Sequence, residues 1–424
     1  VDRPVKLKKS LQWSLSFCDT IRRKGLTMKK IVFTIIAVLS WIALPPDLGA
    51  DTLRWAIPAG YRLEMVRTAS CQFLINGKSM KLYEERNIID LFCASGEQAM
   101  NRVKGLFSVY QRDKGEEVFT LVEQHPSDFS IASNGMFAVS DDAYMPNLRN
   151  IPSFPNGQVK PGDAWQGTGE MVIRGFSRPL KLVFPVKYRY RKDAPGVNTG
   201  LVDFEYEIDM DMRKGAYPPD FPISIMGSNS GTMAWDLERA IPLKGEEQYR
   251  IRLMVGEIES GVSILEYRVK FIVGCTLYPP VTDEEKERQK EDLKTLIDQN
   301  SQIEVGADDR GIVLRLGEVY FDFDSSSLKT EARRNLDAVV SAVRDKYRGR
   351  EIIVEGHTDT TGGKDYNYGL SRNRARSVAE YLKPGIQSDK ISFRGLGPDK
   401  PMADNSTSEG RQKNRRVEII IKLN

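Results

Sequence analysis

Few residues in this 424-residue chain are equipped for covalent or acid–base chemistry. It holds two histidines, His125 and His357, and four cysteines. Neither histidine belongs to a nucleophile–His arrangement, and no Cys or His spacing matches a metal site. His357, alone at the end of a strand pattern, reads as a structural hydrogen-bonder. The densest carboxylate group is Asp203, Glu205, Glu207, Asp209 and Asp211, which alternates with apolar residues. A period of two sets these acids along one solvated strand face and does not converge them into a catalytic pair. A hydrolase or transferase is therefore disfavoured. No catalytic residue, cofactor or metal is expected, and the chemistry left to the chain is binding.

Net charge does not name the partner. The whole chain carries 62 Lys/Arg and 58 Asp/Glu, a formal +4, but nine of those cations and only three of the anions lie in residues 1–50. Without them 53 positive residues face 55 negative ones, and no basic excess remains to suggest nucleic acid.

That leading segment reads as a targeting signal. Met28-Lys29-Lys30 is a short positive stretch, and Ile31 to Leu44 is a mostly apolar run of 14 residues. Pro45-Pro46 breaks any helix, and Leu48-Gly49-Ala50 supplies small residues for cleavage before Asp51. A membrane span needs roughly 20 apolar residues. Residues 28–50 are thus expected to be a cleaved secretory signal, and 1–27 an upstream extension from a start codon placed too early. No Cys stands where a lipid anchor would need one. Beyond Cys18, the cysteines Cys71, Cys93 and Cys275 allow at most one internal disulfide, Cys71 with Cys93 being the nearest pair.

The fold expected is α+β, in two parts. Residues 51–280 are dominated by strand alternation. Val202 to Met212, Leu182 to Tyr190, Tyr249 to Val255 and Leu265 to Val273 each place apolar residues on every second position. Short polar turns between them predict an antiparallel meander, as a sandwich or an open barrel. Residues 85–104, around Ile88, Leu91, Phe92 and Met100, are expected to form a helix. Trp165, after the turn-rich run from Pro155, is expected to anchor the core. Pro279-Pro280 closes the region, and 281–302 is a highly charged helical linker whose Leu293, Leu296 and Ile297 form one modest contact stripe. Such a linker would let the two parts sit apart.

Residues 303–424 change character. A strand region from Ile312 to Phe323 precedes a helix carrying Leu328, Ala332, Leu336, Val339, Val340 and Val343. A short strand from Glu351 to Glu355 is followed by a helix from about Tyr368 to Lys383, stopped by Pro384-Gly385. Strands at Ile391 and Arg416 complete a βαβαββ order, which predicts helices packed on a small mixed sheet.

Four motifs in this stretch carry a resemblance: Tyr320-Phe-Asp-Phe-Asp-Ser325, Glu355-Gly-His-Thr-Asp-Thr-Thr-Gly362, Leu370-Ser-Arg-Asn-Arg-Ala375, and Gly395-Leu-Gly397 with Pro401, Asn405, Gly410-Arg411 and Asn414-Arg-Arg-Val-Glu-Ile419. Together, in order and in register, they resemble the OmpA-like family. The resemblance implies non-covalent binding of peptidoglycan through the diamino acid of its stem peptide. On residue type alone Asp359 reads as a loop cap, and Arg374 as one solvated charge beside Arg372 and Arg376. The resemblance makes Asp359 and Arg374 the principal ligand residues. A diamino acid presents an ammonium and a carboxylate at a fixed separation, which an anion and an arginine fork can read as a pair. The resemblance further implies that Asp324, Thr361 and Asn367 line the pocket or order its loop, with Asp322 on the same rim, and that Gly356 and Gly362 shape it. Thr360 departs from the family, where Asn is common. Arg415 and Arg416 are expected to tie the last strand to carboxylates. Other envelope or outer-membrane proteins would be partners of the β-rich part. An integral outer-membrane β-barrel carrying a periplasmic wall anchor is the alternative.

Overall fold

The computed structural model describes residues 49–97, 100–141, 143–193, 196–215, 217–257, 261–297, 303–322, 324–386 and 390–423. All but the last two residues of the expected export signal, the extension before it, Cys18 and Phe323 lie outside the described residues.

The β-rich part is one continuous antiparallel sheet. Its strands are β1 (Arg62–Ile75), β2 (Lys78–Glu97), β3 (Met100–Asp113), β4 (Phe119–Ala132), β5 (Phe137–Val139), β6 (Leu148–Arg149), β7 (Ala164–Ile173), β8 (Leu180–Arg191), β9 (Thr199–Asp211), β10 (Ser224–Asp236), β11 (Ile241–Glu257) and β12 (Gly261–Tyr278). Each strand pairs with its sequence neighbour except between β5 and β6, and β1 also pairs with β12. The order is therefore β5-β4-β3-β2-β1-β12-β11-β10-β9-β8-β7-β6, with two short strands at its free ends. Strict alternation gives β8 its buried face, from Leu180 through Leu182, Phe184, Val186 and Tyr188 to Tyr190. One core joins both halves: Leu91, Val103, Phe107 and Ile131 of β2–β4 share it with Val186, Val202, Ile225 and Trp235 of β8–β10. A single sheet folded over one core fits the open-barrel alternative better than two stacked sheets.

Two expectations change and one holds. The expected helix over 85–104 is not found: residues 85–97 and 100–104 lie in β2 and β3, and β2 is hydrogen-bonded between β1 and β3. Phe92 and Met100, half of the supposed apolar stripe, are exposed, so cross-strand pairing overrides a coincidental local spacing. Cys71 does not pair with Cys93: Cys71 and Cys275 are free thiols, and Cys71 and Cys93 are buried as small apolar side chains. Trp165 does anchor the interior: its ring stacks on Tyr188 at 5.3 Å and its Nε1 donates to Ser153 O at 2.8 Å.

The carboxy-terminal part begins with helix α1 (Asp283–Leu296), capped by the Thr282 hydroxyl accepting from Glu285 N at 3.1 Å. Then come β13 (Ile303–Asp308), β14 (Gly311–Gly317), α2 (Thr330–Lys346), β15 (Ile352–Gly356), α3 (Lys364–Ile386), β16 (Ile391–Gly395), α4 (Ser408–Asn414) and β17 (Arg416–Ile421). The sheet order is β13-β14-β17-β15-β16, with only β15 and β16 parallel, a small mixed sheet as expected. Leu336, Val339 and Val343 of α2 and Val378 and Leu382 of α3 pack with Ile312, Val354 and Ile419 of the sheet. Pro384 does not stop α3, which runs two residues further. So near the end a proline forfeits one intrahelical bond, while Ile386 beyond it is buried in the core.

The charged segment before this sheet is no free spacer. Leu293 and Ile297 of its contact stripe are buried in the carboxy-terminal core, and the Tyr347 hydroxyl donates to Gln289 O at 2.9 Å. Nor do the two parts sit apart. β16 pairs in parallel with β4 at Ser392 opposite Phe119 and Phe393 opposite Thr120. Beside that junction the Lys422 ammonium lies 2.8 Å from both Asp90 and Glu351, and the Tyr110 hydroxyl donates to Glu351 at 3.1 Å. Arg62 holds Asp90 at 2.6 Å, and Arg394 donates to Gln124 at 3.1 Å. Among the described residues no helix is long and apolar enough to cross a membrane.

Candidate functional site

β15 ends at Gly356 and delivers the loop His357–Gly363 onto the start of α3. Gly356 is required by proximity: a Cβ there would meet the Ser371 carbonyl oxygen of α3 at 1.9 Å. Strand and helix therefore meet backbone to backbone at this point. Gly362, at φ +92°, turns the loop through a conformation that side chains rarely adopt.

Asp359 is buried in this loop. One carboxylate oxygen accepts from Thr361 N at 2.8 Å, and the other from Arg415 Nη1 at 2.6 Å. Burial by itself would raise its pKa. The Thr361 amide and the Arg415 guanidinium outweigh burial and hold the carboxyl below its ordinary value. Asn367, on the first turns of α3, donates to Thr361 O at 2.9 Å and so pins the loop to the helix. Thr360 N donates to Asn405 Oδ1 at 3.3 Å. Asn414, fully buried, fixes that second loop by accepting from Met402 N at 2.8 Å and donating to Ala403 O at 2.8 Å and Asn405 Oδ1 at 2.9 Å.

Arg374 projects from α3 and is also buried. Its Nε donates to Ser325 O at 2.9 Å, and its guanidinium stands 5.2 Å from the Phe321 ring centroid. Nη2 lies 3.6 Å from Glu318 Oε1 and has no hydrogen-bond partner. Burial lowers the Arg374 pKa, opposed by Glu318 and Asp324. Asp324, at φ +51°, accepts from the Tyr366 hydroxyl at 2.7 Å and forms the rim. Asp322 N donates to Ser327 O at 3.2 Å, closing the same turn.

The structure therefore gathers Asp359, Thr361 and Asn367 on one side and Arg374 and Asp324 on the other. What joins them is a residue that no sequence motif singles out. Glu318 pairs with Arg374 through one oxygen and with Arg415 Nε through the other, and Arg415 pairs with Asp359. The site is thus a chain of alternating charge, Asp359–Arg415–Glu318–Arg374, drawn from four different segments. Glu318 lies just ahead of the Tyr320 motif, in a 3₁₀ turn after β14, and only its place beside that motif could have flagged it.

A second charged group lies across the sheet. Glu355, His357 and Glu418 are buried with their ligating atoms within 4.8 Å of one another, the one such group among the described residues able to hold a metal ion. Arg310 already donates to Glu355 Oε2 at 2.7 Å and pairs with Glu418 Oε2 at 2.8 Å, occupying the cation's place. Arg394 and Arg416 bind the remaining oxygens. Burial, and then Arg416, push the His357 pKa down to about 3, so the ring is neutral. Burial also opposes ionisation of Glu418, but Arg416 and Arg310 overcome it and bring that carboxyl to about 2.

Comparison with known proteins agrees with this architecture. Residues 320–415 match the model of the OmpA family. Outer membrane protein A of Bordetella avium is 46% identical over 105 residues, 24% of this chain and 54% of its own length. Probable lipoprotein YiaD of Escherichia coli (strain K12) is 42% identical over 112 residues, 26% of this chain and 51% of its own. The Peptidoglycan-associated lipoprotein of Pseudomonas aeruginosa is 39% identical over 101 residues, 24% of this chain and 59% of its own. The chain thus spans only 51–59% of the length of these curated relatives. With the motifs, the mixed sheet and the family match in one stretch, the carboxy-terminal domain of this chain belongs to the OmpA family.

Proposed function

We propose that the protein is a non-catalytic component of the cell envelope that binds peptidoglycan through its carboxy-terminal domain and tethers the β-sheet domain to the wall. The chain is exported and works in the periplasm or at the outer membrane. Asp359 accepts the ammonium of the stem-peptide diamino acid, and Arg374 grips its carboxylate. Thr361 and Asn367 hold the loop, and Asp324 borders the entrance.

The observation that carries this reading is the pairing state of the two ends. Arg374 is buried, yet its Nη2 makes no hydrogen bond, so a donor stands ready for a carboxylate. Asp359 is kept ionised by Arg415 and the Thr361 amide, ready for an ammonium. A zwitterion would offer each of them a second opposite charge, beside the Arg415 and Glu318 they already pair with. Charged hydrogen bonds of this kind are worth about 1.5–3 kcal/mol each. A relative named for association with peptidoglycan supports the same ligand class. Against the membrane-barrel alternative, the face of the sheet opposite the core carries Lys187, Glu205, Glu207 and Arg250 where an apolar band would be needed.

Pull-down with purified sacculi tests the proposal, comparing the parent with Asp359→Ala and Arg374→Ala. The parent is retained, and each substitution weakens retention by tenfold or more. Equal retention of all three removes the site assignment, and no retention of the parent removes the function.

A further inference from the structure

The acidic row of β9 has no part in the wall-binding site, and it is one stripe of a larger pattern. Directly opposed residues of antiparallel strands project to the same face, so the strand register defines rungs across the sheet. One rung reads Arg268, Arg250, Ser228, Glu207 across β12, β11, β10 and β9. The next reads Lys270, Gln248, Ser230, Glu205, and the third Glu266, Arg252, Met226, Asp209. The face is striped along the strands: acidic on β9, uncharged on β10, and on balance basic on β11 and β12, where Glu266 is the one acid of these rungs.

These opposite charges do not neutralise one another. Arg250, Arg252 and Arg268 all donate Nε to the buried Glu266, at 2.6, 2.9 and 2.5 Å, leaving three half-exposed guanidiniums against one carboxylate. On the other side Glu207 and Asp209 are exposed and have no hydrogen bond or ion pair among the described residues. Glu205 pairs with Lys187 at 3.3 Å, on the side away from β10. β9 and β11 stand two strand spacings apart, roughly 9.6 Å. An arginine could reach across Ser228, yet Arg250 and Arg252 turn toward Glu266 of β12, where Arg268 also bonds it. The groove over the serine floor has a volume of about 1040 Å³ and is lined by Glu205, Glu207, Ser228, Ser230, Arg250 and Arg268, among others.

We propose that this groove binds an extended zwitterionic peptide, with its cationic side chains against β9 and its anionic side chains against β11 and β12. An extended chain lying along β10 sends alternate side chains to opposite sides. The groove therefore reads alternating basic and acidic residues, and it does so independently of Asp359 and Arg374. Unequal, uncompensated walls on either side of a small-residue floor specify charge order as well as charge content.

The test uses the full chain and labelled hexapeptides in low salt, read by fluorescence anisotropy: Lys-Glu-Lys-Glu-Lys-Glu, the block peptide Lys-Lys-Lys-Glu-Glu-Glu, and hexalysine. The alternating peptide binds at least tenfold tighter than the other two, and 0.5 M salt removes the binding. Glu207→Lys with Asp209→Lys, and separately Arg250→Glu with Arg268→Glu, each weaken it at least tenfold, with circular dichroism checking the fold. Equal binding of the alternating and block peptides by the parent overturns the proposal, whatever the variants do. So does tighter binding of hexalysine, or no binding of any peptide at millimolar concentration.

Discussion

The striped face of β9–β12 and the Asp359–Arg374 site are both built from charge, by opposite routes. On the face, position follows from strand alternation: every second residue is polar, neighbours in the row are about two residues apart, and most are exposed. At the site, four charged residues from four segments, Asp359 and Arg374 buried and Glu318 and Arg415 partly so, are placed by loops, a 3₁₀ turn and a close backbone approach. Repetition spreads charge over a surface that water can screen. Irregular, buried placement concentrates it where a single lost partner leaves an expensive orphan.

That contrast can be broken by experiment, most strongly at the junction between the two domains. Lys422→Met leaves Asp90 and Glu351 without their shared ammonium, and the cost is about 3–5 kcal/mol. Denaturant unfolding of parent and variant measures it; a change of a few tenths would make the buried cluster no different from the exposed face. Acid comes next. His357, neutral with a pKa of about 3 when folded against 6.5 as its ordinary value, must take up a proton on unfolding between those values. Its stabilising contribution is complete above pH 6.5 and is lost as pH falls toward 3. Glu418, at about 2 against 4.5, adds a loss in the same direction at lower pH. Each tenfold difference in proton affinity between the folded and unfolded chain is worth about 1.4 kcal/mol. Thermal melts from pH 7 to 3.5 therefore fall, and His357→Gln flattens the upper part of that curve. An unchanged slope in the variant would assign the acid sensitivity elsewhere.

Smaller effects sharpen the comparison. Gly356→Ala drives a methyl group into the Ser371 carbonyl oxygen and costs about 1–3 kcal/mol through the backbone movement it forces. Because the loop moves with the strand, sacculus retention falls together with the melting temperature. Lys187→Ala removes an exposed pair with Glu205 on the striped face, and stability stays within about 0.5 kcal/mol. A larger loss would mean that the face is cooperative and not a sum of screened charges.

The same division governs what could be read before the fold was known. Leu182, Phe184, Val186, Tyr188 and Tyr190 declare a strand by themselves, because period two survives any tertiary arrangement. The long β2 and β3 do not: Ile88, Leu91 and Phe92 happen to fall at helical spacing, and only the pairing with β1 decides against it. In the site, Asp359, Thr361, Asn367 and Arg374 were legible through motif resemblance, since loop and helix lie close in sequence. Glu318 and Arg415 lie about a hundred residues apart, and nothing local announces that they meet. The closeness of the two domains was illegible for the same reason, because a run such as Glu284 to Lys290 looks like a spacer until Leu293 and Ile297 are seen buried.

The parallel pairing of β4 with β16 has a mechanical consequence. If the wall holds Asp359 and Arg374, tension on the tether passes through β15 to its parallel neighbour β16, and from there into β4. Two backbone rungs and the Lys422 cluster then form a load path that bypasses the covalent connection through α1. The β-sheet domain would respond to a tug on the wall as a rigid fixture, with its slack removed.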